Sequence, residues 1–198
     1  MSTKSDRTKQ FILQKVAPVF NKNGYFGTSL SDITDATGLT KGAIYGNFKN
    51  KEELAYYAFY FNVSYVMEQL GKIIETHENS IDQLLGISEF YKNKYLTKIE
   101  LGGCPILNVG VDANNTNPKL YKAVQNVVIK IQESIFLILE AGINRKEIKT
   151  ELNPKEFASI IFSLIEGGVF TSVTMKDNSY LQNMMNHLDK VILNELKN

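Results

Sequence analysis

Residues 28–54 constrain the fold more than any other stretch, because helix-start signals follow one another closely there. Ser29 and Asp32 have the spacing of a capping box, in which each side chain satisfies a free backbone N–H group at the helix start. Gly38 can take the left-handed conformation that ends a helix, and Thr40 can cap the next one. The stretch therefore predicts two short helices joined by a tight turn, followed by the start of a longer helix.

The second predicted helix, over Lys41–Phe48, has a surface that suits the major groove of DNA. Two short helices joined by such a turn form a helix-turn-helix, whose second helix reads base edges. Ile44 and Phe48 form its apolar face, so its outward residues are small, basic or able to hydrogen-bond. Asn50 caps a third helix, where free N–H groups and the charge of Lys51 can meet a phosphate. The predicted DNA contacts are Thr28, Ser29, Thr40, Lys41, Gly42, Ala43, Tyr45, Asn47 and Lys51.

A purely structural interpretation of these helices stays open, since two short capped helices also occur in domains that do not bind DNA. Gly42 and Gly46 favour a functional one. Each glycine lowers helix propensity by about 1 kcal/mol relative to alanine, and a helix that only supports the fold has no use for that cost.

The segment L-T-K-G-A-I-Y-G-N-F-K-N-K-E-E-L at residues 39–54 resembles the recognition segment of the TetR family of bacterial transcriptional regulators. The resemblance extends back through F-N-K-N-G-Y-F-G-T-S-L-S-D-I at residues 20–33 and covers about the first quarter of the chain. It implies a dimeric DNA-binding regulator with a helical ligand-binding body. The family pattern commonly has an aromatic residue and then His before the Phe, so it gives no base contacts for Gly46 and Asn47.

Charge is distributed unevenly along the chain. Residues 1–51 carry eight Lys/Arg and three Asp, a net charge of +5, whereas the remainder carries 14 basic and 18 acidic residues, a net charge of −4. A basic head and an acidic body fit a nucleic-acid-binding end and an end that does not bind nucleic acid.

Several protein classes are disfavoured. The single cysteine, Cys104, permits no intrachain disulfide, which agrees with a reducing cytoplasm. The polar start M-S-T-K-S-D-R-T-K is unlike a secretory signal, and no apolar run approaches the ~18 residues that span a bilayer, so we expect no membrane partner. One cysteine with the distant His77 and His187 predicts no metal site, and no motif calls for a cofactor.

Apolar periodicity and capping residues predict helices through the rest of the chain. Ser80 and Ser179 are read as caps with glutamines three residues on, and Asn117 and Asn153 as caps before prolines. The predicted helices cover residues 5–23, 51–75, 80–99, 105–112, 118–140, 154–174 and the chain from 179. The fold class is thus all-α with about nine helices, a three-helix DNA-binding unit over 1–50 and a ligand-binding and dimerisation domain over 51–198.

The body is expected to hold a ligand. Cys104, Asn108 and Asp112 share one face of the helix predicted over 105–112, and G-C-P-x-x-N there resembles a segment of some TetR-family ligand domains. The alternative is that Cys104 is a core residue and that the other two cap a helix or face solvent. The predicted ligand contacts are Tyr60, Tyr91, Tyr95, Cys104, Asn108, Tyr121, Phe162, Glu166 and Phe170, an aromatic set that suits an apolar or amphipathic ligand.

The last two helices have broad apolar faces that can form a four-helix bundle with a two-fold mate. The alternative is that both faces are used within the monomer. Glycine in the middle of a helix, as at Gly167 and Gly168, is costly unless another backbone comes close. The predicted dimer contacts are Phe157, Ile161, Leu164, Gly168, Leu181, Met184, Met185, Leu188 and Ile192.

The sequence therefore predicts a homodimeric repressor that a small-molecule ligand releases from a palindromic operator. The long helix over 51–75 joins the reading unit to the body and is the expected transmission element. An interaction protein whose reading unit no longer binds DNA is the alternative. An enzyme is disfavoured, because no Ser/His/Asp, Cys/His or metal-ligand arrangement has usable spacing.

Overall fold

The computed structural model describes residues 4–95 and 102–198, and these residues form an all-α protein without strands, as predicted. They include nine α-helices and two π-helical segments. The α-helices are α1 (Lys4–Gly27), α2 (Leu30–Thr37), α3 (Lys41–Tyr45), α4 (Lys51–Thr76), α5 (Ser80–Phe90), α6 (Pro105–Ala113), α7 (Pro118–Asn144), α8 (Pro154–Met175) and α9 (Ser179–Val191). The π-helical segments are π1 (Tyr91–Tyr95) and π2 (Ile192–Leu196).

Contacts divide the described chain into two compact units. The first contains residues up to 66 together with residues 102–125, and the second contains the remainder, with α4 and α7 contributing to both. The predicted domain boundary after residue 50 does not coincide with this division by contacts, and it stays a prediction.

The core of the first unit is built around α1. Its apolar stripe packs with the inner faces of α2 and α3 and with the start of α4, and the buried residues are Ile12, Leu13, Val16, Ala17, Phe20, Ile33, Ile44, Phe48, Leu54, Ala55 and Ala58. Burial of one of the Ile, Leu, Val or Phe side chains in this set stabilises the fold by roughly 1.5–3 kcal/mol. The predicted helix end at Gly24 is where the backbone leaves helical geometry, with φ 74°, before a further turn to Gly27.

The second unit has its own core, formed by α5, the last part of α7, α8 and α9. Helix α7 contributes the buried residues Ile131, Ile135, Ile138 and Leu139. In α8, a Cβ added to Gly168 would lie 3.3 Å from the Cα of Leu181 in α9. The glycine pair in the middle of α8 was expected to need another backbone close by, and the backbone of α9 lies close to Gly168.

Of the four helix caps predicted after residue 75, two are right and two are wrong. The side-chain oxygens of Asn117 and Asn153 accept hydrogen bonds from backbone N–H groups of the first turns of α7 and α8, as predicted. Asn79, not Ser80, caps α5, because its side-chain oxygen accepts from the N–H groups of residues 81 and 82. Ser179 does not cap α9; its own N–H donates to Asp177.

The helix predicted over 80–99 is also revised. It is α-helical to Phe90 and π-helical over Tyr91–Tyr95. Positions 96–99 lie outside the described residues.

Candidate nucleic-acid interface

Helix α2 begins with the capping box that the sequence predicts. The Ser29 hydroxyl accepts a hydrogen bond from the Asp32 N–H group at 3.1 Å, and the Asp32 carboxylate accepts from the Ser29 N–H group at 2.6 Å. The Ser29 hydroxyl also donates to that carboxylate. These hydrogen bonds hold the pKa of Asp32 below its usual value, the hydroxyl contributing most.

The turn between α2 and α3 is closed by Gly38. This residue has φ 67°, and its N–H group donates to the Thr34 carbonyl at 2.8 Å. The Thr37 hydroxyl donates to the Ile33 carbonyl and accepts from the Leu39 N–H group. The turn is thereby fixed by local hydrogen bonds, which sets the direction of α3.

Helix α3 is shorter than predicted. Thr40 caps it by accepting from the Ala43 N–H group at 3.3 Å, but the α-helix ends at Tyr45 instead of Phe48. The Asn47 side-chain amide donates to the Ala43 carbonyl at 2.9 Å, at the end of the helix. The chain then turns through residues 46–50 to the start of α4, where Asn50 caps as predicted.

One face of α3 is held on the core and the other faces solvent. Ile44 and Phe48 are buried, while Tyr45 and Asn47 are half-buried. The exposed residues are Thr40, Lys41, Gly42, Ala43 and Gly46. They present one ammonium group, one hydroxyl and an otherwise smooth surface on which a groove of DNA could approach the backbone closely.

Besides Thr40 and Asn47, three further predicted DNA contacts have their side chains engaged within the chain. Thr28 is fully buried and its hydroxyl donates to the Gly24 carbonyl at 2.7 Å, and Ser29 belongs to the capping box. The Lys51 ammonium lies 4.7 Å from the centre of the Tyr25 ring. Burial lowers the pKa of Lys51, and the charges of Asp112 and Asp32 act against that shift.

The predicted ligand contacts are divided between the two units. Tyr60, Cys104, Asn108 and Tyr121 belong to the first, and Tyr91, Tyr95, Phe162, Glu166 and Phe170 to the second. Tyr91 and Tyr95 are buried with their rings 4.9 Å apart, whereas Phe170 is 51% exposed. Burial raises the pKa of Tyr60, with a smaller contribution from a hydrogen bond with Tyr56.

The face shared by Cys104, Asn108 and Asp112 is turned toward α1. Cys104 is buried at the start of α6, in agreement with the alternative that it is a core residue. The Asn108 amide donates to the carbonyls of Asn21 and Gly102. Asp112 accepts from the Tyr25 N–H group. These polar groups therefore serve contacts within the first unit, a role that spacing alone did not reveal.

Most of the predicted dimer contacts are covered by the chain itself. Ile161, Gly168, Leu181, Met185, Leu188 and Ile192 are buried, and Phe157, Leu164 and Met184 are partly exposed. The six buried residues make their contacts within the chain, and the assignment of all nine residues to a dimer interface stays a prediction. The helix periodicity found the apolar faces, and the monomer uses them.

Within the described part of the chain, α8 is long and apolar enough to cross a membrane by length and composition, and 33% of its most apolar stretch is buried. This differs from the expectation that no segment qualifies. Core helices have the same length and composition, so the property does not assign α8 to a membrane. Residues 4–95 and 102–198 contain no group of three His, Cys, Asp or Glu residues placed to hold a metal ion.

Comparisons with known proteins agree with this geometry. Residues 12–57 match the family model described as bacterial regulatory proteins, tetR family, and residues 80–188 match the tetracyclin repressor-like C-terminal domain. An uncharacterised helix-turn-helix transcriptional regulator of Bacillus subtilis, YxaF, is 30% identical over 91% of this chain and 92% of its own length.

Solved structures give the same result. A TetR-family regulator from Cytophaga hutchinsonii has a TM-score of 0.91 at 34% identity, covering 98% of this chain and 97% of its own. A TetR regulator from Chloroflexus aurantiacus has a TM-score of 0.91 at 32% identity, covering 98% of each chain.

Proposed function

Since this chain belongs to the TetR family of bacterial transcriptional regulators, we propose that it is a homodimeric repressor which a small-molecule ligand releases from a palindromic DNA operator. It is a DNA-binding regulator of the helix-turn-helix class, and regulators of this family are typically not enzymes. The dimer, the operator symmetry, the ligand and a cytoplasmic location are parts of the proposal.

The exposed face of α3 carries the DNA-binding part of the proposal. Lys41 projects beside Gly42 and Ala43, while Ile44 fixes the helix on the buried cluster around α1. This is the arrangement of a recognition helix whose inner face is structural and whose outer face reads a groove. The basic head adds attraction to phosphates without sequence preference.

The exposed apolar surface of α8 supports a dimer. Ile160, Gly167 and Phe170 recur at helical spacing on its outer side, and we call them the α8 outer stripe. Ile160 is 41% and Phe170 51% exposed, and Tyr180 at the start of α9 is 40% exposed. Contiguous exposed apolar surface marks interaction sites, and we propose that a second copy of the chain covers this stripe in place of the buried residues named above.

Binding-site selection tests the DNA part. The purified protein is incubated with random duplex DNA at two salt concentrations, and the bound sequences are read. We expect a palindrome whose half-sites lie about one helical turn, ~34 Å, apart or a multiple of it. If no palindrome is enriched while the protein is a folded dimer, the chain is better described as a helical interaction protein with a reading unit that no longer binds DNA.

A matched pair of lysine variants assigns the contact on the selected operator. Lys41→Ala should weaken binding, and a lost phosphate contact should reduce the slope of log affinity against log salt by about 0.9. Lys130→Ala removes an exposed lysine from α7 in the second unit, and it should leave affinity and slope unchanged. If the two variants have the same operator affinity and the same salt slope, Lys41 does not contact the operator.

Sedimentation tests the dimer. The double change Ile160→Glu and Phe170→Glu places two charges on the α8 outer stripe, and it should give a folded monomer. Leu137→Glu on α7, at a position that is 59% exposed, is the control and should stay dimeric. A dimer that survives the double change would place the interface elsewhere.

A thermal-shift screen of apolar and amphipathic compounds tests the ligand part. A ligand at 100 times its Kd stabilises the folded state by about 2.7 kcal/mol, and a true effector must also lower affinity for the selected operator. Compounds that stabilise the protein without changing operator affinity would bind it without regulating it.

A further inference from the structure

Helix α1 is interrupted where it approaches the DNA-reading helices. The interruption separates one backbone donor from its acceptor, and two side chains of α6 hydrogen-bond to these two groups instead. In a continuous helix the Tyr25 N–H group would donate to the Asn21 carbonyl, four residues back. The backbone at Gly24 leaves the helix at φ 74°. The Tyr25 N–H group donates instead to the Asp112 carboxylate at 2.6 Å, and the Asn21 carbonyl accepts from the Asn108 amide at 3.0 Å.

Helix α6 packs closely against the interrupted part of α1. A Cβ added to Gly24 would lie 3.0 Å from the Asp112 carboxyl carbon. Before α6, Gly102 has φ 96°, and a Cβ there would lie 3.0 Å from the Lys22 Cα. The buried Asn21 amide donates to the Gly103 carbonyl at 2.9 Å. Both ends of α6 are thus held against the same stretch of α1.

The stretch that Asp112 holds is residues 24–28, which connect the regular part of α1 to the cap of α2 and which we call the joint. The Thr28 hydroxyl donates to the Gly24 carbonyl, so the joint is folded back on the interruption. The Tyr25 ring lies under the Lys51 ammonium at the start of α4, and Ser29 opens α2 directly after the joint. A change at Tyr25 therefore reaches the starts of both α2 and α4.

We infer that Asp112, assisted by Asn108, is a positioning residue for DNA reading: by completing the broken hydrogen bond of α1 it sets the path of the joint and hence the placement of α2 and α3. The inference rests on the proposed function for its effect on an operator, but its structural part concerns only the first unit. Asp112 has no part in the DNA contacts and acts through Tyr25.

Amide hydrogen exchange and amide chemical shifts test the structural part without DNA. Asp112→Ala should accelerate exchange of the Tyr25 amide and shift the amide signals of Thr28, Ser29 and α3. Asp112→Asn keeps an oxygen acceptor and should restore both readouts. Val111→Ala alters the neighbouring residue of α6, which is 77% exposed, and should match the wild type. If the alanine variant does not fold, Asp112→Ser serves in its place, because its hydroxyl is too short to reach Tyr25.

Operator binding by the same variants tests the functional part. Asp112→Ala should lower affinity for the selected operator by about tenfold, within the usual range for coupling between two sites, and Asp112→Asn should recover most of it. The inference would be overturned if Asp112→Ala changed neither the exchange of the Tyr25 amide nor the amide shifts of Thr28, Ser29 and α3. It would also be overturned if those shifts changed while operator affinity did not. Changed shifts in a protein whose wild type selects no operator would support the positioning role and overturn the proposed function.

Discussion

Gly168 of α8 lies directly against Leu181 of α9: a Cβ added to the glycine would be 2.8 Å from Leu181 Cδ1 and 3.3 Å from Leu181 Cα. The same Cβ would be 3.3 Å from the Met184 Cβ. The first neighbour is the end of a flexible side chain, but the other two move only with the backbone of α9. The glycine is therefore required for the distance at which these two helices pack.

Gly168→Ala should destabilise the protein even though alanine is the better helix former. Overpacking of this kind costs about 1–3 kcal/mol, against a propensity gain of about 0.5–1 kcal/mol. Gly71→Ala in α4 is the control, since a Cβ there meets nothing within 4 Å, and it should stabilise slightly. Denaturant unfolding of both variants measures the difference. Equal stabilisation by the two would show that α9 can move away at no cost.

The Ser29–Asp32 capping box makes a prediction about pH. Hydrogen bonds from Ser29 lower the pKa of the Asp32 carboxyl in the folded protein, so its stabilisation is complete above about pH 4, the usual pKa of a free aspartate. It is lost as pH falls through the lower folded-state pKa. Ser29→Ala should raise the Asp32 pKa toward its usual value, which carboxyl NMR titration measures directly.

Thr40→Ala is the control for that titration. Thr40 caps α3 by accepting from the Ala43 N–H group, without a carboxylate partner among its described hydrogen bonds. Its loss should cost about 1 kcal/mol at every pH alike and leave the Asp32 titration unchanged. An Asp32 pKa that is unchanged from the wild type in Ser29→Ala would show that the Ser29 hydroxyl is not its cause.

The Ser80 hydroxyl joins groups that are far apart in the sequence. It is fully buried, donates to the Ile138 carbonyl at 2.8 Å and accepts from Arg145 at 2.8 Å. Ser80→Ala removes both of these hydrogen bonds from the core, so we expect a loss of about 1–3 kcal/mol. Ser134→Ala removes a hydroxyl that donates only to the carbonyl one turn back, and it should be nearly neutral. Equal effects in chemical denaturation would contradict the burial argument.

The sequence predicted the helices well, because periodicity and caps are local properties. Ser29, Thr40, Asn117 and Asn153 act as predicted. Ser80 failed because the residue before it is a better cap and because its hydroxyl has partners far along the chain. No local pattern decides between two adjacent polar residues when one of them is needed in the core.

The candidate sites were less predictable, since they depend on what covers each face. The outward face of α3 followed from the burial of Ile44. The apolar face of α8 was also located, but periodicity does not say whether α9 or a second copy covers it. Asn108 and Asp112 do share a face, yet only the folded chain shows that this face completes the broken hydrogen bond of α1.

Asn153 and Asn178 form a natural pair for testing what a helix cap contributes here. Both occupy the N-cap position, of α8 and α9 respectively, but only the Asn153 side chain accepts hydrogen bonds, from the N–H groups of Lys155 and Glu156. Asn178 has helical backbone angles and makes no side-chain cap. Asn153→Ala should therefore cost about 1 kcal/mol, whereas Asn178→Ala should be nearly neutral, as thermal unfolding at matched protein concentration can show. A larger loss for Asn178→Ala would mean that its side chain supports α9 by a contact other than the cap.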